Sequence, residues 1–290
     1  RITNTMIDTE FFNQLNRFSL MVRKRVSSVY AGSRRAVLQG RGIEIVGYRE
    51  YMPGDDIRTI DWRVYGRTEK LYIRKFEEEK NVTTHILIDS SKSMDYSSNG
   101  VTKFDYAAML ACGFGYMVTR ENEKFAISTF GENIDISPPK RGRGYLLHTI
   151  DRLNRTPLEG ETRFDYCTQQ YGKMIRSKSL VIVISDFLTD LDSIRAGLYR
   201  LAPNDLIVIS VFDPAEYDLT IGGDVKLHDM ETNEVRKTYI SPKLKEEYRK
   251  LLDDHFGGVR ETCMHIGADY FSFGTNVPIF DAFFEAVRAR

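Results

Sequence analysis

The sequence predicts an α/β protein built on a doubly wound, mostly parallel sheet. Two observations carry that expectation. From Val82 to the C-terminus, short apolar runs rich in β-branched residues alternate with helix-period segments, the pattern of repeated βαβ units. Two of the runs, Val82 to Ile88 and Ser179 to Ile184, stop abruptly before a carboxylate, Asp89 and Asp186, with polar or loop residues beyond. In open parallel sheets, ligands gather outside the carboxyl ends of the strands, where the strand order reverses.

The elements can be justified in chain order. From about Thr9 to Tyr30, Phe11, Phe12, Leu15, Phe18, Val22, Val26 and Val29 recur at spacings of three and four, marking an amphipathic helix. Its other face holds Arg17, Arg23, Lys24 and Arg25, and the basic run continues through Arg34, Arg35 and Arg41. Packing on the body with solvated arginines is the preferred reading, and contact with an anionic membrane surface is the alternative. Ile43 to Arg49 and Lys70 to Phe76 read as strands. Between them, Asp55, Asp56, Arg58, Asp61, Arg63 and Arg67 are expected to interlock as ion pairs around Trp62, the sole tryptophan. That passage is read as a structural link. Residues 1–79 are thus expected to form an N-terminal helix and β-rich segment, and 80–290 the sheet domain.

Within the sheet domain, Phe104 to Arg120 reads as a helix whose Gly113 and Gly115 allow close packing. Lys124 to Phe130 is a strand, with Asn133 to Ser137 as an edge partner ended by Pro138 and Pro139. Arg141 to Gly144 reads as a basic loop, because no Gly-Lys-Ser/Thr follows it. Helices are expected at Tyr145 to Leu153, Phe164 to Arg176 and about Asp192 to Leu201, and a strand at Asp205 to Val211. Val225 to Leu227 and Val235 to Tyr239 form a hairpin inserted at about 222–240. Ser241-Pro242 starts a helix to about Phe256, resuming to Ile266. Asp269 to Phe273 is the last strand and Ile279 to Arg288 the closing helix.

Composition narrows the function classes. Lysine plus arginine equals aspartate plus glutamate at 41 each, so bulk charge gives no argument for nucleic acid. Cys112, Cys167 and Cys263 are odd in number and lack Cys-x-x-Cys spacing, against a disulfide framework and against a zinc site; a reducing cytoplasm is expected. The five histidines show no ligand spacing, and His85 reads as a packed core residue. No run approaches the roughly 20 apolar residues of a membrane span.

Asp89, Ser91 and Ser93 form Asp-x-Ser-x-Ser directly after a strand. That spacing can place one carboxylate and two hydroxyls in one small space, a set of hard oxygen donors suited to Mg²⁺. Helix capping or turn formation by the same residues is the competing account. If the strands before Asp89 and Asp186 are neighbours, Thr162 from the preceding loop can complete the oxygen set.

Asp89-Ser-Ser-Lys-Ser93, Thr162 within Gly160-Glu-Thr162, and Asp186 together resemble the metal-ion-dependent adhesion site (MIDAS) of von Willebrand factor A domains. Furthermore, Arg49-Glu-Tyr-x-Pro-Gly-Asp-Asp-x-Arg-x-Ile-Asp-Trp-Arg63 and Arg74-Lys-Phe-Glu-Glu-Glu79 resemble the signature of domain-of-unknown-function family fifty-eight. Those bacterial and archaeal proteins are typically encoded beside MoxR-type AAA+ ATPases. The resemblance implies Mg²⁺, or alternatively Mn²⁺, held directly by Ser91 and Ser93. Thr162 would be a direct or water-bridged ligand, with Asp89 and Asp186 bridging through water. One coordination position would stay open for a Glu or Asp of a partner protein. The expected function is therefore non-enzymatic: a metal-dependent adaptor or chaperone-like assembly factor working with a MoxR-type ATPase. The alternatives are a metal-dependent hydrolase or phosphatase using Asp89 as nucleophile, and a membrane-surface protein acting through the basic N-terminal helix. Against the phosphatase, the position two residues after Asp89 is Ser91, where haloacid-dehalogenase enzymes carry a second Asp.

Overall fold

A computed structural model describes residues 35–39, 44–79, 82–219, 223–228 and 235–288. The helix expected from Thr9 to Tyr30 lies outside these residues, as do Arg34 and Arg41 of the basic run. The described residues divide between two compact units, one formed within 35–79 and the other from 82 onward.

The smaller unit is a three-stranded antiparallel sheet. β1 (Arg35–Gln39) and β2 (Glu44–Glu50) flank β3 (Tyr72–Glu79), and a register shift lies between Ile45 and Gly47 of β2. The chain between β2 and β3 folds by local capping. Asp56 accepts from the Arg58 backbone N–H at a single 3₁₀ turn, and Asp61 accepts from the Arg63 N–H at the start of α1 (Trp62–Thr68). Asp61 is 6% exposed and also receives the Tyr48 hydroxyl at 3.4 Å.

Around Trp62 the described residues combine an ion pair with helix capping. Arg49 pairs with Asp55 at 2.7 Å, and Asp56 and Asp61 accept the backbone N–H groups of Arg58 and Arg63. Short acidic side chains beside a helix start satisfy amides that have no intrahelical partner, which competes with salt-bridge formation. Trp62 itself is 58% exposed, with its ring edge-on to Tyr65, so it is not the buried centre of the passage. Asp61→Ala should therefore lower the stability of this unit by about 0.5–2 kcal/mol, the usual worth of an N-cap. Trp62→Ala should stay within about 0.5 kcal/mol. Equal losses in thermal melts of the two variants would contradict the capping account.

The larger unit contains a six-stranded sheet. Its strands are β4 (Thr84–Asp89), β5 (Phe125–Phe130), β6 (Ile134–Asp135), β7 (Leu180–Ser185), β8 (Asp205–Phe212) and a last strand, Asp269–Gly274. A two-stranded antiparallel hairpin, β9 (Gly223–His228) and β10 (Val235–Ile240), intervenes in sequence, so the last strand is β11. The order is β11-β8-β7-β4-β5-β6, parallel throughout except for the antiparallel β5–β6 pair. β4 is followed by β5 on one side and bordered by β7 on the other, so the order reverses between β4 and β7. This is the switch point of a doubly wound sheet.

The central strands are buried at every position, as continuous aliphatic runs predict for parallel strands covered on both faces. Leu87, Val181, Val183 and Val208 pack with Phe164, Ile194, Leu198 and Val259. These come from α4 (Phe164–Gly172), α5 (Leu191–Leu201) and a long helix, Pro242–Ile266. The sheet residues in between face α2 (Lys103–Arg120), against which α3 (Arg143–Asn154) packs. A five-residue α6 (Pro214–Asp218) follows β8, making the long helix α7 and the closing Ile279–Arg288 helix α8. α5 meets α4 at Gly197, where an added Cβ would stand 2.5 Å from the Phe164 ring.

Three boundaries differ from expectation. α4 ends at Gly172, short of Arg176, and α3 begins at Arg143, inside the supposed basic loop, because Gly142 supplies a left-handed φ of 96° at its N-cap. α7 runs unbroken through Gly257-Gly258; a Cβ on Gly258 would approach Leu191 to 2.7 Å, so close helix packing selects glycine there. Among the described residues, no helix is long and apolar enough to cross a membrane.

Candidate metal centre

Three loops converge beyond the switch point. The first follows β4: Asp89 ends the strand, its Oδ1 accepts the Ser91 N–H at 2.9 Å, and a short turn at Lys92–Asp95 follows. The second, ahead of α4, carries Thr162. The third begins at Ser185, the last residue of β7, and carries Asp186. Backbone bonds clamp the first two together, from Lys92 N–H to Gly160 O (3.0 Å) and from Glu159 N–H to Ser90 O (3.3 Å), while Thr189 Oγ1 donates to Thr162 O (3.2 Å) from the third.

Asp89 is the hub of this assembly. Thr162 Oγ1 lies 3.1 and 3.0 Å from its two oxygens, and Ser185 Oγ donates to Oδ2 at 2.6 Å. The Ser91 and Ser93 hydroxyls stand 3.0 Å apart and bond each other. Asp186 faces the same cluster, and its charge acts on Asp89. Burial first, and the Asp186 charge second, push the Asp89 carboxyl up to about 6, against the lowering pull of the Ser185 and Ser91 hydrogen bonds.

Asp186 is held differently. Its Oδ1 accepts the Leu188 N–H at 3.2 Å, and its Oδ2 accepts from Lys103 Nζ at 2.9 Å. The turn after it depends on Phe187, whose φ of 53° is left-handed and whose buried ring packs on Phe164. His255 of α7 bonds the Phe187 carbonyl oxygen at 2.7 Å, so tertiary packing sustains a backbone conformation that a bulky residue seldom adopts. A third strand also ends in a carboxylate. Asp213 after β8 accepts the Ser98 N–H (2.8 Å), the Ser98 hydroxyl (2.6 Å) and the Ala215 N–H (2.8 Å), and these donors hold it below the usual carboxylate range despite burial.

The five residues singled out from sequence thus fall in one cluster. Ser185 and Lys103 bond into it and Glu216 bonds Lys103, none of them anticipated, while Asp213 acts on Lys103 and Glu216 through its charge. Ser185 and Asp213 carry the same strand-end signal as Asp89 and could have been found by it. Lys103 and Glu216 lie in the first turns of helices and look like ordinary surface charges. Lys92 pairs with Asp95 at 2.8 Å.

The donor chemistry suits a hard divalent cation in part. Asp89 is a fully buried carboxylate with no cationic partner among the described residues, and beside it the Ser91 and Ser93 hydroxyls bond each other, with Ser91 also acting on the Asp89 carboxylate. Oxygen donors of this kind match Mg²⁺ or Mn²⁺. Among the described residues no three His, Cys, Asp or Glu side chains are grouped as a metal cage, so hydroxyls and water would have to supply much of the shell.

The chain belongs to the DUF58 family, described as "Protein of unknown function DUF58", whose model matches residues 47–256. It is 26% identical over 273 residues to the uncharacterized protein Mb1516 of Mycobacterium bovis, covering 93% of this chain and 86% of that protein. Uncharacterized protein YeaD of Bacillus subtilis is 20% identical over 177 residues, 60% of this chain and 42% of that one. Among solved structures, conserved hypothetical protein BatB from Bacteroides thetaiotaomicron is similar with a TM-score of 0.48 and 13% identity, covering 72% of this chain and 98% of that one. An aerotolerance-related membrane protein from Bacteroides fragilis gives 0.45 and 11%, covering 72% and 100%.

The raised Asp89 carboxyl has a stability consequence in metal-free protein. Its folded value of about 6 exceeds its ordinary 3.8, so the stabilising contribution is present below the latter and lost as pH rises through the former. The unfolding free energy of Asp89→Asn in EDTA should therefore gain on wild type between about pH 4 and about pH 6. A pH-independent difference in urea unfolding would contradict this.

Proposed function

We propose that this protein is a non-enzymatic, von Willebrand factor A-like binding module whose Asp89, Ser91, Ser93, Thr162 and Asp186 hold Mg²⁺ or Mn²⁺ in a MIDAS-type site. The observation that carries the reading is the buried Asp89 carboxylate: uncompensated by any described cation, it stands beside a paired set of hydroxyls at the switch point of the sheet. In that arrangement Ser91 and Ser93 would touch the ion, Thr162 and Asp89 would stand beside it directly or through water, and Asp186 would complete the shell. A bound divalent ion supplies an exchangeable coordination position for an external carboxylate.

The chain's own residues then orient the approach. The three clamped loops fix the hydroxyls before a partner arrives, which lowers the ordering cost of association. A depression of about 590 Å³ beside Ser90, lined by Asn133, His148, Arg152 and Arg155 among others, gives a partner segment room next to the cluster. The partner is a protein presenting Glu or Asp, and the setting we favour is assembly work with a MoxR-type AAA+ ATPase. A reducing compartment such as the cytoplasm suits three free, buried cysteines. Use of Asp89 as a hydrolytic nucleophile fits less well, because it is fully buried and both its oxygens already accept hydroxyl or amide hydrogens.

Ser91→Ala/Ser93→Ala should abolish Mg²⁺ and Mn²⁺ binding in calorimetry and the metal-dependent capture of a MoxR-type ATPase, with the circular dichroism spectrum unchanged. Capture that survives both EDTA and the double substitution would overturn the metal-dependent reading. Metal-dependent phosphate release from a generic phosphomonoester, lost in Asp89→Asn, would replace it with the hydrolase.

A further inference from the structure

Lys103 is the first residue of α2, with Thr102 as N-cap, and its side chain is 0% exposed. Nothing local favours a lysine there. The helix macrodipole disfavours a cation in the first turn, and full burial opposes the charged form. Two carboxylates offset this: Asp186 Oδ2 accepts from Nζ at 2.9 Å and Glu216 Oε2 at 2.7 Å. The Tyr96 ring centroid stands 6.0 Å from the ammonium, and the Asp213 charge also acts on this region. Asp186 and Glu216 together hold the ammonium above the usual lysine range in spite of its burial.

The result is a marked asymmetry between two neighbouring buried aspartates. Asp186 has a protein cation on one oxygen. Asp89 has only neutral donors. Two such carboxylates side by side are strongly unfavourable without positive charge, so an oxygen cluster of this kind ordinarily needs its ion to be stable.

We propose that Lys103 is a resident counter-ion of the site, balancing Asp186 permanently, so that the cluster is pre-formed in metal-free protein and an incoming divalent cation is matched to Asp89, Ser91 and Ser93. This rests on the metal-binding reading above. It makes two linked statements about the chain. The site keeps its shape when empty, and its affinity for divalent cations is held down by a fixed positive charge that shares Asp186. Glu216 tempers that charge: by drawing part of the ammonium's hydrogen bonding to itself, it leaves Asp186 more available.

The test uses the full chain, with Mg²⁺ and Mn²⁺ as the probes, in calorimetric titration and in thermal melts with EDTA or with excess metal. Lys103→Met keeps the volume and removes the charge. It should melt well below wild type in EDTA, recover most of that loss with Mn²⁺, and bind either ion at least about tenfold more tightly, as expected when a nearby like charge is deleted at the effective dielectric of a buried site. Glu216→Gln should act in the opposite direction and bind the ions more weakly, and it decides the matter if Lys103→Met does not fold. A melting loss in Lys103→Met that is the same with and without metal, with unchanged affinity, would make Lys103 a purely structural ion pair and overturn the proposal. Weaker binding by Lys103→Met would overturn it too, because the lysine would then be positioning Asp186 as a ligand. Unchanged or tighter binding by Glu216→Gln counts against it equally. If wild type binds neither ion while Lys103→Met does, the lysine stands as a charge substitute and the metal-dependent reading of the native protein falls; if neither binds, both fall.

Discussion

Two carboxylates forced into one buried space at the ends of adjacent strands constrain much else in the larger unit. Parallel strands β4 and β7 are neighbours at the reversal of strand order, and each delivers an aspartate to the same edge. Their charges repel at short range and are poorly hydrated. The surrounding architecture can be understood as the set of donors that makes this tolerable. Ser185, Thr162 and the Ser91 amide converge on one aspartate, while Lys103 and the Leu188 amide converge on the other. These donors come from all three loops and from the first turn of α2, which is why the loops must be clamped to one another, the first two by backbone bonds and the third through the Thr189 hydroxyl.

Local irregularities become intelligible from the same constraint. Phe187 occupies a left-handed conformation because the chain must turn sharply after Asp186 while its ring stays in the core, and His255 reaches from α7 to hold the carbonyl that this turn exposes. The cost is met by packing elsewhere in the unit, as is usual where a site needs unusual backbone. The close approach at Gly197 belongs to the same layer: α5 lies against Phe164, which in turn supports Phe187.

Most of the sheet was legible in the sequence because parallel strands covered on both faces are mostly apolar along their whole length, as β4, β5, β7 and β8 are apart from a few polar positions such as His85, Ser128 and Ser210. The candidate ligands were legible for a related reason: an apolar run that stops dead at Asp marks the edge where parallel sheets gather ligands. What failed to show was anything dependent on distance across the fold. Lys103 and Glu216 lie 113 positions apart, and each alone resembles a surface charge. The passage around Trp62 was legible as a charged link but not in its detail: Asp56 and Asp61 cap helix starts, and the tryptophan ring is exposed. Gly257-Gly258 suggested a break because glycine propensity is a local property, and helix-to-helix contact overrode it.

The sheet ends at β6, two residues long and antiparallel to its neighbour, with Pro138 and Pro139 a short step beyond. Ser137 turns its amide inward to the Ser128 hydroxyl, and the two prolines have no amide to offer. An incoming strand therefore finds almost no ladder to extend on this side. A short, proline-bounded edge of this kind offers a second copy of the chain few backbone groups to pair with, which disfavours edge-to-edge growth on this side of a sheet whose central strands are largely apolar.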